Sequence, residues 1–331
     1  MPGAAVMREK AMPTHEEAAL MVKVARLYYE NHQTQEEIAT HLGLSRPKVS
    51  RLLQRARKEG IVQIHIIDPF ASHADLEAAL IEQFGLEAAV VVAGVVDREP
   101  LTRRRIGQAA AHYLEEVVRD GDVIGMGWGR TLYEMVQALS RRRQARISVV
   151  PLVGGLGQIA PSFQVNELAR GLAQAFRGTW QPFYAPALLP GQAVREGFMK
   201  TLDAQEMAQR WAHLDLAVVG IGNTAFEEEL QVLFVNYLDR ETQDRLLRAG
   251  AVGDICVRFF DIRGRPCNDA LPDVVGIELE QLRQARRVIG VAGGPHKVEA
   301  IFGALNGRYL RVLVTDETAA RGVLELAQGR M

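Results

Sequence analysis

From Ala88 to the C-terminus the chain repeats one pattern: a short run of Val, Ile and Leu, a glycine-bearing turn, then a segment with helical apolar spacing. AAVVVAG, DVIGMG, ISVVPLVGG, LAVVGIG, DICVRFF, RVIGVAGG and LRVLVTD are the strand candidates. Their apolar residues are consecutive rather than alternating, as in strands buried on both faces of a parallel sheet. LTRRRIGQAAAHYLEEVV, TLYEMVQALS, QVNELARGLAQAF, DRETQDRLLRAG, HKVEAIFGAL and ETAARGVLELA are the helices between them. Strand–helix alternation of this kind folds as an α/β domain with a mostly parallel, doubly wound sheet.

Such sheets bind ligands beyond the carboxyl ends of their strands. Four of the predicted strands run there into glycine: GMGWGRT, LVGGLGQ, VGIGNT and VAGGPHK. Glycine lets a ligand approach backbone N–H groups, and the helix start that follows attracts anions. GMGWGRT leads straight into LYEMVQAL, so Gly127, Gly129, Arg130 and Thr131 are candidates to cradle a phosphate. Gly154 and Gly155 belong to the second loop. Lys297 follows Gly293-Gly294-Pro295 and adds a point charge to the same edge. One such loop is commonly a tight turn and nothing more; four along one sheet favour a ligand. A dinucleotide is disfavoured: GMGWGR spaces its glycines as GxGxG, no acidic residue ends the next strand at Val153, and GIGNTA fits GxGxxA only loosely. No cofactor or metal is expected.

The formal net charge is −1, from 39 Lys and Arg against 40 Asp and Glu. Affinity for nucleic acid therefore has to come from a local patch. One lies near the front. AALMVKVARLYYENH places Leu20, Val24, Leu27 and Tyr28 at helical spacing. Thr34 and Glu37 then form a capping box for a helix with Ile38, Ala39 and Leu42 on one face, and Gly43 stops it. Ser45 is placed to cap a third helix, with Pro47 in its first turn and Val49, Leu52 and Leu53 facing inward. Ser45, Arg46, Lys48, Ser50, Arg51, Gln54 and Arg55 are left outside, with no acidic residue from Ser45 through Lys58. Two helices around a Gly-containing turn, the second one basic, are a helix-turn-helix DNA reader. Arg and Lys suit phosphates and guanine edges, and Gln54 suits adenine. Thr34, at the start of the preceding helix, is a further contact candidate. IVQIHII alternates like a strand and would form the wing of a winged variant, closed by Asp68-Pro69.

At 331 residues two or three units are expected: a leader over 1–17, a winged helix-turn-helix domain over 18–68, and an effector-binding and oligomerisation domain over 69–331. Cys256 and Cys267, the only cysteines, form no CxxC pair or Cys/His cluster, which excludes a zinc finger or disulfide framework. No apolar run approaches a membrane span and the N-terminus has no signal-peptide core, so no membrane partner and a cytoplasmic location are expected. Asp261 and His296 are the candidates for acid–base catalysis, but no dense His/Asp/Glu constellation surrounds the glycine loops. Binding without turnover is the favoured reading; a sugar-phosphate isomerase or deaminase-like enzyme with an added DNA reader is the alternative.

TQEEIATHLGLSRPKVSRLL, GMGWGRTL, VGGLG with QVNELA, VVGIGN, AVGDICVRFFD and VAGGPHKVEAIFGALNGRYLRVLVTDE occur in this order. With them the chain, from about Ala18 onward, resembles the SorC-type sugar-binding bacterial transcriptional regulators. That resemblance implies a C-terminal domain like glucosamine-6-phosphate deaminase and ribose-5-phosphate isomerase. It also implies a phosphorylated-sugar effector, operator DNA as partner, and a homo-oligomer, dimer or tetramer. It assigns the phosphate loop to Gly127, Gly129, Arg130 and Thr131, sugar contacts to Gln164 and Asn166, an acidic contact to Asp254, and the phosphate lysine to Lys297. Two positions depart from the pattern: some relatives have Thr at Arg130 and Arg at Val153.

Overall fold

The computed structural model describes residues 15–31, 33–59, 61–62, 73–95, 98–140, 143–156, 161–224, 238–271 and 273–329. It divides into two compact units, residues 1–67 and 68–331.

The first unit holds α1 (His15–Tyr29), α2 (Gln35–Leu42) and α3 (Arg46–Lys58). Its core is Val24, Ile38, Ala39, Val49 and Leu53, flanked by Leu20, Leu27, Tyr28, Leu42 and Leu52. The capping box is formed: the Glu37 carboxylate accepts from the Thr34 N–H at 2.7 Å, and the Thr34 hydroxyl accepts from the Glu37 N–H at 3.3 Å. Gly43 ends α2 in the left-handed conformation at φ 63°, where glycine carries no Cβ penalty. Ser45 does not cap as expected. It occupies the N-cap of α3 in an extended conformation, but its side chain makes no capping bond. The expected wing falls almost wholly on residues 63–67, outside the described ones.

The second unit opens with α4 (Ala74–Phe84) and continues as β1 (Ala88–Val92), α5 (Glu99–Val117), β2 (Val123–Met126), α6 (Arg130–Ala138), β3 (Ser148–Pro151), α7 (Val165–Phe176) and β4 (Thr179–Trp180). After α8 (Gln192–Phe198) and α9 (Leu202–Trp211) come β5 (Leu216–Gly220), β6 (Gly222–Asn223), α10 (Arg240–Arg248), β7 (Ala251–Ile255) and β8 (Arg258–Asp261). The chain closes with α11 (Leu279–Leu282), β9 (Arg287–Val291), α12 (Val298–Asn306), β10 (Val312–Asp316) and α13 (Glu317–Ala327). Seven strands form one sheet in the order β1-β10-β9-β5-β2-β3-β4, with every pairing parallel.

The consecutive apolar residues of the strands divide between two cores. In β5, Leu216 and Val218 join the cluster under α5, α6 and α7, while Ala217 and Val219 join the cluster on the opposite face. Val312 and Val314 part from Leu313 in the same way in β10. The period of two between successive side chains, with both faces covered, is why these strands have no polar side. Where α5 crosses α6, Gly107 has no room for a side chain: a Cβ there would lie 2.6 Å from the Glu134 Cβ.

DICVRFF is not a strand of this sheet. It is the tip of an antiparallel hairpin, β7 and β8, in a separate three-stranded sheet with β6. The turn falls on Cys256 and Val257, at φ 53° and 66°. Two-residue hairpin turns of this hand favour Asn-Gly, and a β-branched residue at positive φ is an outlier. Burial of both side chains, 4% and 1% exposed, holds the turn in place.

Among the described residues no helix is long and apolar enough to cross a membrane.

Candidate functional site

At the carboxyl edge of the seven-stranded sheet lies a cavity of about 860 Å³, within the usual range for small-molecule sites. It spans the ends of β1, β10, β9, β5 and β2, neighbours in the sheet but not in sequence. Gly129, Arg130 and Thr131 line it from the β2 side, Asn223 from β6, Asp254 and Cys256 from the hairpin, and Gly293 through Lys297 from the β9 loop.

Gly129 is the N-cap of α6 at φ 123°, a conformation that calls for glycine. Arg130 and Thr131 occupy the first turn, where free N–H groups and the helix dipole favour an anion. Among the described residues Arg130 carries no ion pair. Lys297 ends a short 3-10 turn, Pro295–Lys297, at the start of α12. Its ammonium donates to the Asn223 Oδ1 at 3.3 Å, and the Asn223 amide donates to the His296 carbonyl at 2.9 Å. Burial pushes the Lys297 amine below its ordinary pKa, against the attraction of Asp254 and Glu99.

Asp254 is 3% exposed. Its Oδ2 accepts from the Val257 N–H at 3.0 Å, while Oδ1 is buried without a hydrogen-bond partner among the described residues. Burial raises its pKa to about 6, against the pull of Lys297 and the Val257 N–H. Gly222 makes room for this carboxylate, because a Cβ there would sit 1.7 Å from Oδ1. Desolvation thus outweighs mutual attraction for both charges. An anion beside Lys297 and a hydroxyl donor beside Asp254 would compensate each of them.

The raised pKa of Asp254 has a pH signature. A folded-state pKa near 6 against an ordinary value of 3.8 means stability is fully present below pH 4 and falls as pH rises through 6. Each pKa unit is worth about 1.4 kcal/mol, so the loss amounts to roughly 3 kcal/mol at neutral pH. Asp254→Asn removes this dependence and adds a constant offset from the unpaired Lys297. Urea unfolding from pH 4 to 8 should therefore show the difference, variant minus wild type, rising with pH by about 2–3 kcal/mol. A flat difference would mean that Asp254 titrates normally.

The remaining effector candidates lie elsewhere. Gly127, Gly154, Gly155, Gln164 and Asn166 do not line the cavity. Gly127 donates its N–H to the Val218 carbonyl at 2.8 Å, and a Cβ on Gly154 would sit 2.4 Å from the Pro186 carbonyl oxygen. The Gln164 side chain bridges both backbone groups of Leu156, and Asn166 does the same for Phe183. These are bonds that fix loops. Asp261 is likewise committed, accepting from the Arg263 and Arg265 backbone and the Arg265 guanidinium at the turn before Gly264. Sequence reading missed Asn223, Arg98, Arg103 and Asp316, all in the cavity wall. For Asp316 a signal existed: an acidic residue before the helical segment ETAARG is an N-cap pattern.

In the first unit Arg46, Lys48, Arg51 and Gln54 are exposed on α3 and Ser50 is half-buried. The Arg55 guanidinium is paired at the surface, 2.5 Å from Glu59 and 3.3 Å from Glu17 of α1. Arg46 lies 3.7 Å from Glu36, both exposed, an ion pair of little strength. The Thr34 hydroxyl is occupied within the capping box.

A three-helix unit with a basic second helix of a helix-turn-helix, followed by an α/β unit with a cavity at its sheet edge, defines a ligand-responsive DNA-binding protein. Residues 68–325 match the family described as "Putative sugar-binding domain", and residues 18–70 match the Crp-like helix-turn-helix domain. The sorbitol operon regulator of Klebsiella pneumoniae is 36% identical over 319 residues, covering 95% of this chain and 100% of that protein. The deoxyribonucleoside regulator of Bacillus subtilis (strain 168) is 35% identical over 311 residues, covering 93% and 98%. The crystal structure of the full-length Klebsiella regulator, SorC, superposes with a TM-score of 0.71 over 93% of this chain and 99% of that one. The chain belongs to the SorC family of sugar-binding, helix-turn-helix transcriptional regulators. It is a regulator and not an isomerase or deaminase.

Proposed function

We propose that this regulator binds operator DNA through α3 and that a phosphorylated sugar, or a related carbohydrate metabolite, controls that binding from the cavity. The observation that carries the effector's chemistry is the presence in one cavity of a half-buried, under-compensated lysine and a buried carboxylate whose Oδ1 has no hydrogen-bond partner among the described residues. Gly129, Arg130, Thr131 and Lys297 take the phosphate; Asp254 and Asn223 take hydroxyl groups of the sugar. Relatives named for a sorbitol operon and for deoxyribonucleosides are consistent with a carbohydrate-derived ligand. Lys48, Arg51 and Gln54 read the DNA, with Ser45, Arg46 and Ser50 at the margin. Thr34 and Arg55 act through the fold, by holding α2 and by tying α3 to α1. A single helix-turn-helix covers few base pairs, so the working form is a homo-oligomer on a roughly palindromic site in the cytoplasm.

A thermal-shift screen against pentose and hexose phosphates tests the ligand, since anything that binds only the folded state stabilises it by mass action. A saturable rise for a sugar phosphate, absent for the unphosphorylated sugar, is expected. Equal responses to both forms would remove the phosphate from the proposal.

A further inference from the structure

Asp316 ends β10 and starts α13 with its side chain 1% exposed. Its partners are backbone amides. Oδ1 accepts from the N–H groups of Thr318 at 3.0 Å and Ala319 at 3.3 Å, in the first turn of α13. Oδ2 accepts from the N–H of Gly294, in the loop that follows β9. One carboxylate therefore joins two loops that both line the cavity.

The contact is tight enough to dictate sequence on the other loop. A Cβ at Gly293 would lie 2.2 Å from the Asp316 Oδ2. Gly294 itself stands at φ 96°, and its carbonyl accepts from the Lys297 N–H at 3.1 Å. Gly293 and Gly294 thus fit the backbone against Asp316, and the turn held there is the one that presents Lys297. Nothing else among the described residues pins the Gly294 amide.

We infer that Asp316 is a positioning residue for the anion site: through Gly294 it fixes the turn that carries Lys297 into the cavity, and it does so apart from capping α13. This rests on the proposed anion site. Two variants separate the two roles. Asp316→Ser retains a capping hydroxyl but is too short to reach Gly294. Asp316→Asn can keep Oδ1 on α13 but turns an amide donor toward the Gly294 N–H. Ser, Asn and Asp are comparable N-caps, so both variants keep α13 capped; each leaves the buried Gly294 N–H without its acceptor and should melt somewhat below the wild type while staying folded. Removing a negative charge beside an anion site would, by charge alone, tighten anion binding. A loss of affinity would therefore report lost geometry.

The test is calorimetric titration of inorganic phosphate into the full-length protein at constant ionic strength, with ligand-free melting temperatures measured alongside. The wild type should bind saturably, and both variants about tenfold more weakly, with both still folded at the temperature of the titration. Affinity equal to or tighter than wild type in both variants overturns the inference and leaves the anion site standing. A fall in melting temperature without weaker binding also overturns it, reducing Asp316 to a helix cap. A wild type that does not bind phosphate at all removes the anion site and this role with it.

Discussion

An operator fragment selected with the wild-type protein is expected to bind the double variant Lys48→Ala/Arg51→Ala about a hundredfold more weakly. Both side chains are exposed on α3, and among the described residues neither is held by an ion pair. Each charge-assisted contact to DNA is worth roughly 1.5 kcal/mol or more, and two together make about two decades. The plot of log affinity against log salt should also flatten by about two, since each lost phosphate contact removes close to one released counterion. Gel-shift titrations at several salt concentrations give both numbers. Changing Arg55 instead should flatten the salt slope less, because its guanidinium is already paired with Glu17 and Glu59. An unchanged salt slope in the double variant would take α3 out of the interface.

The second large effect is expected at Lys297. Lys297→Met keeps the apolar stem and removes the charge. Loss of one charge-assisted bond to a phosphate in a largely desolvated site costs about 1.5–3 kcal/mol, a ten- to hundredfold fall in affinity for the sugar phosphate found by screening. Operator binding without effector should survive, because Lys297 lies in the second unit. The resulting regulator would stay on its operator and no longer respond to its ligand. Calorimetry decides it, and wild-type affinity in the variant would place the phosphate elsewhere.

Both predictions draw on features that were legible in the chain. The strands of the parallel sheet were readable because burial on both faces writes them as unbroken apolar runs, and their glycine ends marked the edge where the cavity lies. The caps at Thr34 and Gly43 were readable because their chemistry is local. The β7–β8 hairpin was hidden for the same reason the strands were visible: Cys256 and Val257 are apolar and buried, so the turn looks like more strand. The helices α8 and α9 were missed, although Gly191 at the N-cap of α8 was a local signal. Much of the cavity wall was beyond sequence reading. Asn223 reaches Lys297 across 74 residues and Asp316 reaches Gly294 across 22, contacts set by the strand order and not by spacing along the chain. Gln164 and Asn166 show the converse. The family resemblance implies sugar contacts at both, whereas in the structure each completes the hydrogen bonding of a nearby backbone segment.

The central claim is that occupancy of the cavity and occupancy of the DNA are coupled. It is tested most directly by measuring operator affinity as a function of the stabilising sugar phosphate, and the affinity of that ligand with and without saturating operator. Linkage requires the two factors to be equal, and couplings of this kind are typically about 5- to 150-fold. The expected result is a saturating change in operator affinity within that range, matched by the same factor in ligand affinity and absent in Lys297→Met. A sugar phosphate that binds the cavity tightly while operator affinity stays constant at every concentration would contradict the account.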